Sequence, residues 1–113
     1  MRSPEAAVQQ QLDAYNARDI TRFLEVYAQD VQVFRPPAPE PSMSGRDALG
    51  QFHSSQRFNL PKLHAELKGR LVLGKTVVDH ERVSGIREAP FEVAVAYEVI
   101  DGLIRKVWFF PAE

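Results

Sequence analysis

The side chains able to do chemistry in this chain are few. Its 113 residues include three histidines, His53, His64 and His80, and no cysteine, which removes thiolate nucleophiles, disulfides and cysteine metal sites together. There is no Gly-rich phosphate loop and no serine-nucleophile motif. The run Asp79-His80-Glu81 alternates acid, imidazole and acid. In a strand, neighbouring side chains point to opposite faces, so this run does not chelate one ion, and no metal or cofactor is expected. Brought together in a pocket, these residue types can serve proton transfer: a neutral imidazole takes a proton while a guanidinium, Arg35 or Arg82, holds the developing anion. Simpler roles compete with these. A lone strand histidine is commonly a surface residue, Arg35 can pair with Asp30, Glu40 or Glu81, and Arg82 can snorkel over apolar neighbours. His64, near Pro61, reads as an edge residue.

The elements that must position these groups follow from period and punctuation. Ser3-Pro4-Glu5 is a helix start, with a capping hydroxyl and a proline whose missing N–H would have had no partner. Val8, Leu12 and Tyr15 then recur at helical spacing, with Gln9, Gln10 and Asp13 elsewhere on the wheel. Asn16-Ala17-Arg18-Asp19 breaks the pattern, and Asp19 caps a second helix lined by Phe23, Leu24 and Tyr27 and closed by Asp30. Val31 to Arg35 reads as a strand, and Pro36, Pro37, Pro39 and Pro41 force an irregular loop. A short helix from Ser44 through Phe52 and His53 ends at Asn59-Leu60-Pro61.

From there the period becomes two. Leu63 to Leu73, Thr76 to Ser84, Phe91 to Ile100 and Leu103 to Phe110 are predicted strands. Asp101-Gly102 between the last two is a strong hairpin signal. In the last strand Ile104, Trp108 and Phe110 are set opposite Val107 and Phe109, which reads as a strand buried on both sides.

Composition excludes several classes of function. With 44% hydrophobic and 26% charged residues the chain is an ordinary globular domain, and its length suits one domain, residues 1–113. A net charge of -1 without basic blocks argues against a nucleic-acid partner. No apolar run approaches the ~20 residues of a membrane span. The first residues lack a signal-peptide core, so the cytoplasm is the expected location.

In order and spacing, Asn16-Ala17-Arg18-Asp19, Tyr27 to Phe34, Ser44 to Leu49 and the closing Asp101-Gly102-Leu103-Ile104 resemble the nuclear transport factor 2-like superfamily along essentially the whole chain. The resemblance is to its SnoaL-like and ketosteroid-isomerase-like members. It implies an α+β fold, with N-terminal helices packed in the concave face of a strongly curved, mostly antiparallel sheet, a cone with an apolar pocket. It also implies that one face of the last strand lines the pocket and the other meets a partner copy, a homodimer through the convex sheet face, the alternative being that the chain itself covers that face.

Position by position, the isomerase residues are not matched. Their aspartate base ends the strand after the second helix, just before a proline, where this chain has Arg35. Their oxyanion tyrosine falls at Gln11, one turn before Tyr15, and their second oxyanion acid near Ala94 or Ala96. The resemblance instead turns Phe52 and His53 inward, and Val78, His80 and Arg82 onto the concave face, leaving Asp79 and Glu81 outside. A slip of one residue would exchange His80 for Asp79 and Glu81 and return a carboxylate base to the pocket.

The expected site is therefore His53 and His80 as catalytic groups, with Arg35, Tyr15, Phe52, Arg82, Val107 and Phe109 around the ligand. Two classes of function follow. One is a cofactor-free isomerase, cyclase or lyase moving a proton on an apolar carbonyl compound. The other is a non-catalytic ligand-binding or assembly protein, with a small apolar or acidic molecule as ligand.

Overall fold

The computed structural model describes residues 1–112. Helix α1 spans Pro4–Ala17, α2 Ile20–Leu24 and α3 Arg46–Gln56. The strands are β1 Tyr27–Phe34, β2 Met43–Ser44, β3 His64–Leu73, β4 Thr76–Ser84, β5 Phe91–Ile100 and β6 Leu103–Pro111. They form one open six-stranded sheet in the order β2-β1-β6-β5-β4-β3, antiparallel except where β1 runs parallel to β6. The helices pack on one face of this sheet, giving the α+β cone.

Local chemistry sets the boundaries. The Ser3 hydroxyl accepts the Ala6 N–H at 3.1 Å, and Arg18 ends α1 in the left-handed region at φ 55°. The Asp19 carboxylate accepts the Arg22 N–H at 3.1 Å and starts α2. Asn16, at the end of α1, forks onto the edge strand β3. Its amide donates to the Ala65 carbonyl at 2.9 Å and its oxygen accepts the Ala65 N–H at 2.8 Å, so a side chain stands in for a neighbouring strand. The Asp101-Gly102 turn has φ of 55° and 76°, both positive, as a two-residue I′ hairpin requires.

Two expectations are corrected here. Helix α2 stops at Leu24, well before Asp30, and Tyr27 belongs to β1, because Ile104 N–H donates to the Val26 carbonyl at 2.7 Å and draws residues 27–34 into the sheet. In β6, Arg105 is a bulge: Val99 pairs with Ile104 but Glu98 pairs with Lys106. The extra residue restores parity, so Ile104 and Val107 both face inward rather than opposite ways. Phe34 and Trp108 stack on the outer face with centroids 5.8 Å apart. In register across that face run Leu71, Val78, Ala96, Trp108 and Phe34, an apolar belt.

Strand β4 alternates strictly. Val77, Asp79, Glu81 and Val83 are buried, while His80 and Arg82 are exposed on the outer face. The expected placement of His80 and Arg82 on the concave face is thus reversed, by one residue of parity. The reason lies in β3, where Arg70 stands opposite Asp79. Its guanidinium grips the carboxylate with two bonds, 2.7 and 3.0 Å, and donates to Gln9 of α1 at 2.8 Å. Asp79 is fully buried and its ion pair is clamped beneath α1.

Removing one member of a buried pair leaves the other charge uncompensated. Arg70→Met is expected to cost about 3–5 kcal/mol in urea unfolding, and the double change Arg70→Met/Asp79→Leu to recover most of it. A loss below about 1 kcal/mol for the single variant would show that the pair does not set the parity of β4.

Candidate functional site: an apolar cavity with a buried carboxylate

Between α1, α3 and the concave face lies a cavity of about 250 Å³. Its walls are apolar, with Leu12, Phe23, Val33, Leu49, Val83 and Val93 among them. Into this lining project Glu81, Gln11, His53 and three tyrosines, Tyr15, Tyr27 and Tyr97.

Glu81 is 6% exposed and makes no hydrogen bond or ion pair with any described residue. Burial, reinforced by the Asp79 charge and opposed by Arg70, raises its pKa to about 7. Near neutral pH it therefore exists in both forms, as a general base or acid must.

The phenols form a polar chain beside it. Tyr27 Oη–H donates to Gln11 Oε1 at 3.3 Å, and Gln11 Nε2 donates to Tyr97 Oη at 3.0 Å. Tyr97 thus accepts one bond and keeps its own proton, with the chain behind it polarised toward the cavity. Burial raises the pKa of Tyr27 and Tyr97, and the Glu81 charge adds to it. Tyr15 is raised to about 12 by burial, with Arg57 opposing and Glu81 adding. All three phenols remain donors at working pH, and all three feel the Glu81 charge.

His53 stands in an aromatic box, 4.6 Å from Phe23, 5.6 Å from Phe58 and 6.2 Å from Tyr15 between centroids. Its Nδ1 lies 2.9 Å from the Leu49 carbonyl oxygen, which can only accept, so Nδ1 carries the proton and Nε2 the lone pair. Burial lowers its pKa to about 4, with the Leu49 bond opposing and Arg57 adding. At the mouth, guanidiniums lie over aromatic rings: Arg35 over Phe109 at 4.7 Å, Arg57 over Phe52 at 4.8 Å and Arg87 over Phe91 at 4.1 Å.

Of the residues expected from sequence, His53, Tyr15, Phe52, Arg35, Val107 and Phe109 line the cavity. His80 does not. It pairs with Glu92 on the outer face, both side chains half exposed, and Arg82 lies outside with it. The site expected from sequence omits Glu81, Gln11, Tyr97, Arg57 and Arg87, all of which line the cavity. Gln11 had a signal, since it falls on the Val8, Leu12, Tyr15 stripe of α1, and Glu81 appeared under the alternative register. Among the described residues no cluster of three His, Asp or Glu side chains could hold a metal ion, and no helix is long and apolar enough to cross a membrane.

The SnoaL-like domain model matches residues 8–107. The chain belongs to the SnoaL-like family. Solved structures of the same fold include an uncharacterised cystatin-fold protein from Novosphingobium aromaticivorans, 21% identical with TM-score 0.86 over 97% of this chain and 99% of that one. A protein provisionally assigned as a ketosteroid isomerase from Kribbella flavida is 22% identical, with TM-score 0.84 over 97% of this chain and 78% of that one. One provisionally assigned as a polyketide cyclase from Sinorhizobium meliloti is 21% identical, with TM-score 0.78 over 91% and 92%. At these identities the likeness is one of fold. No curated protein matches the chain.

The two shifted groups act on stability with opposite signs. Glu81, raised from 4.5 to about 7, holds a proton that unfolding releases, so its contribution falls as pH rises through that window. His53, lowered from 6.5 to about 4, takes up a proton on unfolding, so its contribution rises with pH between those values. Each is on the order of 3 kcal/mol, and where the windows overlap they largely cancel. Thermal melts from pH 4.5 to 6.5 should therefore be nearly flat for the wild type, climb for Glu81→Gln and decline for His53→Gln. Parallel curves for all three proteins would refute the assignment.

Proposed function

We propose that this SnoaL-like protein is a cofactor-free enzyme, an isomerase, cyclase or lyase, that moves a proton on an apolar carbonyl compound with Glu81 as its base. One observation carries the reading: an unpaired, buried carboxylate with a pKa of about 7 shares an apolar cavity with phenols whose protons are free to be donated. The Glu81 carboxylate takes a proton from the carbon beside the carbonyl. The C–H electron pair becomes the C=C bond of an enolate, and the charge on its oxygen is held by the Tyr97 and Tyr15 hydroxyls. In a substrate with an adjacent C=C bond the enolate is a dienolate, and the Glu81 carboxylic acid returns the proton at its far carbon; alternatively the enolate carbon attacks a second carbonyl, whose π pair becomes an alkoxide that the Glu81 acid protonates. Two proteins of the same fold are provisionally assigned as a ketosteroid isomerase and a polyketide cyclase, names that refer to carbonyl compounds and so support the substrate class.

Magnitude decides between the two candidate bases. His53, with a pKa of about 4, has a proton affinity roughly three orders of magnitude below that of Glu81. His53 is better suited to shape the aromatic wall and offer a lone pair to a ligand hydroxyl.

The test is exchange of the α-protons of 2-tetralone into deuterium oxide, followed by NMR. The wild type should accelerate exchange, with a rate that climbs with pH and levels off above about 7. Glu81→Gln should lose roughly 10²-fold or more, and Tyr97→Phe a smaller but clear factor. Binding without exchange by the wild type would leave a ligand-binding role for the pocket and end the enzymatic one.

The outer belt of Leu71, Val78, Ala96, Trp108 and Phe34 supports pairing of two copies through the convex face. Leu71 is 61% exposed, a state that a facing copy would relieve. Sedimentation should give a dimer for the wild type and a monomer for Trp108→Glu. A wild-type monomer at high micromolar concentration would dismiss the pairing.

A further inference from the structure

The cavity mouth carries positive charge that the fold does not use. Arg35 follows β1, Arg57 follows α3 and Arg87 lies in the β4–β5 loop, so separate elements deliver a guanidinium to one opening. None has a carboxylate within 4.0 Å among the described residues, although Arg2, Arg70 and Arg105 all do. Stacking on Phe109, Phe52 and Phe91 instead holds each side chain by its flat face, which leaves the N–H edges of Arg35 and Arg87 free, while Arg57 donates one N–H to the Gln56 carbonyl at 2.7 Å and keeps the rest. Arg35 and Arg57 also repel one another: burial first, and then the Arg57 charge, lower the Arg35 pKa. A chain of net charge -1 that gathers unpaired cations around an apolar opening has a cost that an anion there would offset.

We infer that the arginine collar is an anion subsite, and that the ligand is an amphipathic organic acid whose carboxylate stays at the mouth while its apolar carbonyl portion enters the cavity. This deepens the proton-transfer reading and rests on it for the identity of the buried end. The dimensions agree. The Val83–Phe91 pair, on which Arg87 sits, lies two strand residues from Glu81, about 7 Å along β4, close to the reach of a two- or three-carbon spacer between acid and enolisable carbon. Planar guanidiniums suit a carboxylate through paired N–H bonds. Their hold on it fixes how deep the carbonyl sits.

The test uses 5-oxo-5-phenylpentanoate and its neutral amide, titrated calorimetrically into the protein. The acid should bind at least about tenfold more tightly than the amide. The variant Arg35→Gln/Arg57→Gln/Arg87→Gln should bring the two to within roughly twofold. If that variant fails to fold, Arg35→Gln and Arg87→Gln, both at exposed positions, carry the comparison singly. Equal affinities in the wild type, no binding of the acid at millimolar concentration, or a preference that survives in the folded variants would overturn the subsite. Deuterium exchange beside the ketone of the same acid reports separately on Glu81. Acid preference without exchange upholds the collar and removes the base, whereas exchange with equal affinities removes the collar and upholds the base.

Discussion

The ion pair between Arg70 and Asp79 is the constraint on which the site depends. A buried charged carboxylate is costly without a cation, and among the described residues Asp79 meets its guanidinium under α1, opposite Arg70 of β3. Once Asp79 faces inward, the two-residue period of a strand turns Glu81 inward as well. Glu81 has no such partner, and the same burial that Arg70 makes tolerable for Asp79 is left uncompensated two residues on. A structural pair and a reactive acid are thus consequences of one choice of parity.

Helix α1 shows how a polar face is used inside a protein. Gln9 accepts from Arg70, Gln11 joins Tyr27 to Tyr97, and Asn16 forks onto Ala65. Each amide satisfies groups on the sheet that apolar packing would leave bare. The helix is held in direction as well as in depth, because these bonds have geometry that methyl contacts lack. The cavity survives for the same reason: Gln11 and the tyrosines hold fixed positions at its floor, while Phe23, Leu49 and Val83 close the sides.

Much of the fold was legible because its signals are local. The Ser3-Pro4 start, the Asp19 cap, the Asp101-Gly102 turn and the limits of β4 and β5 depend on residues adjacent in sequence, and the structure has them as expected. The misreadings involve distant partners. Tyr27 has a helical neighbourhood but is claimed by β6, and the Arg105 bulge that puts Ile104 and Val107 on one face is visible only as a mismatch in pairing. His80 looked inward by resemblance, yet Val77 and Val83 in the same strand share the parity of Glu81 and were the better guide. The apolar ends and the Arg70–Asp79 pair favour the same parity, and Glu81 follows it.

The sequence by itself determined the kind of container and the order of most of its elements. Periodicity, capping and turn chemistry act over a few residues, so they can be read without knowing the fold. Only the tertiary structure decided which face of β4 looks inward, which tyrosines keep a free proton and where the arginines gather. Those outcomes turn on burial and on partners far apart in the chain. A carboxylate becomes a base at neutral pH only when the fold removes its water and gives it no cation.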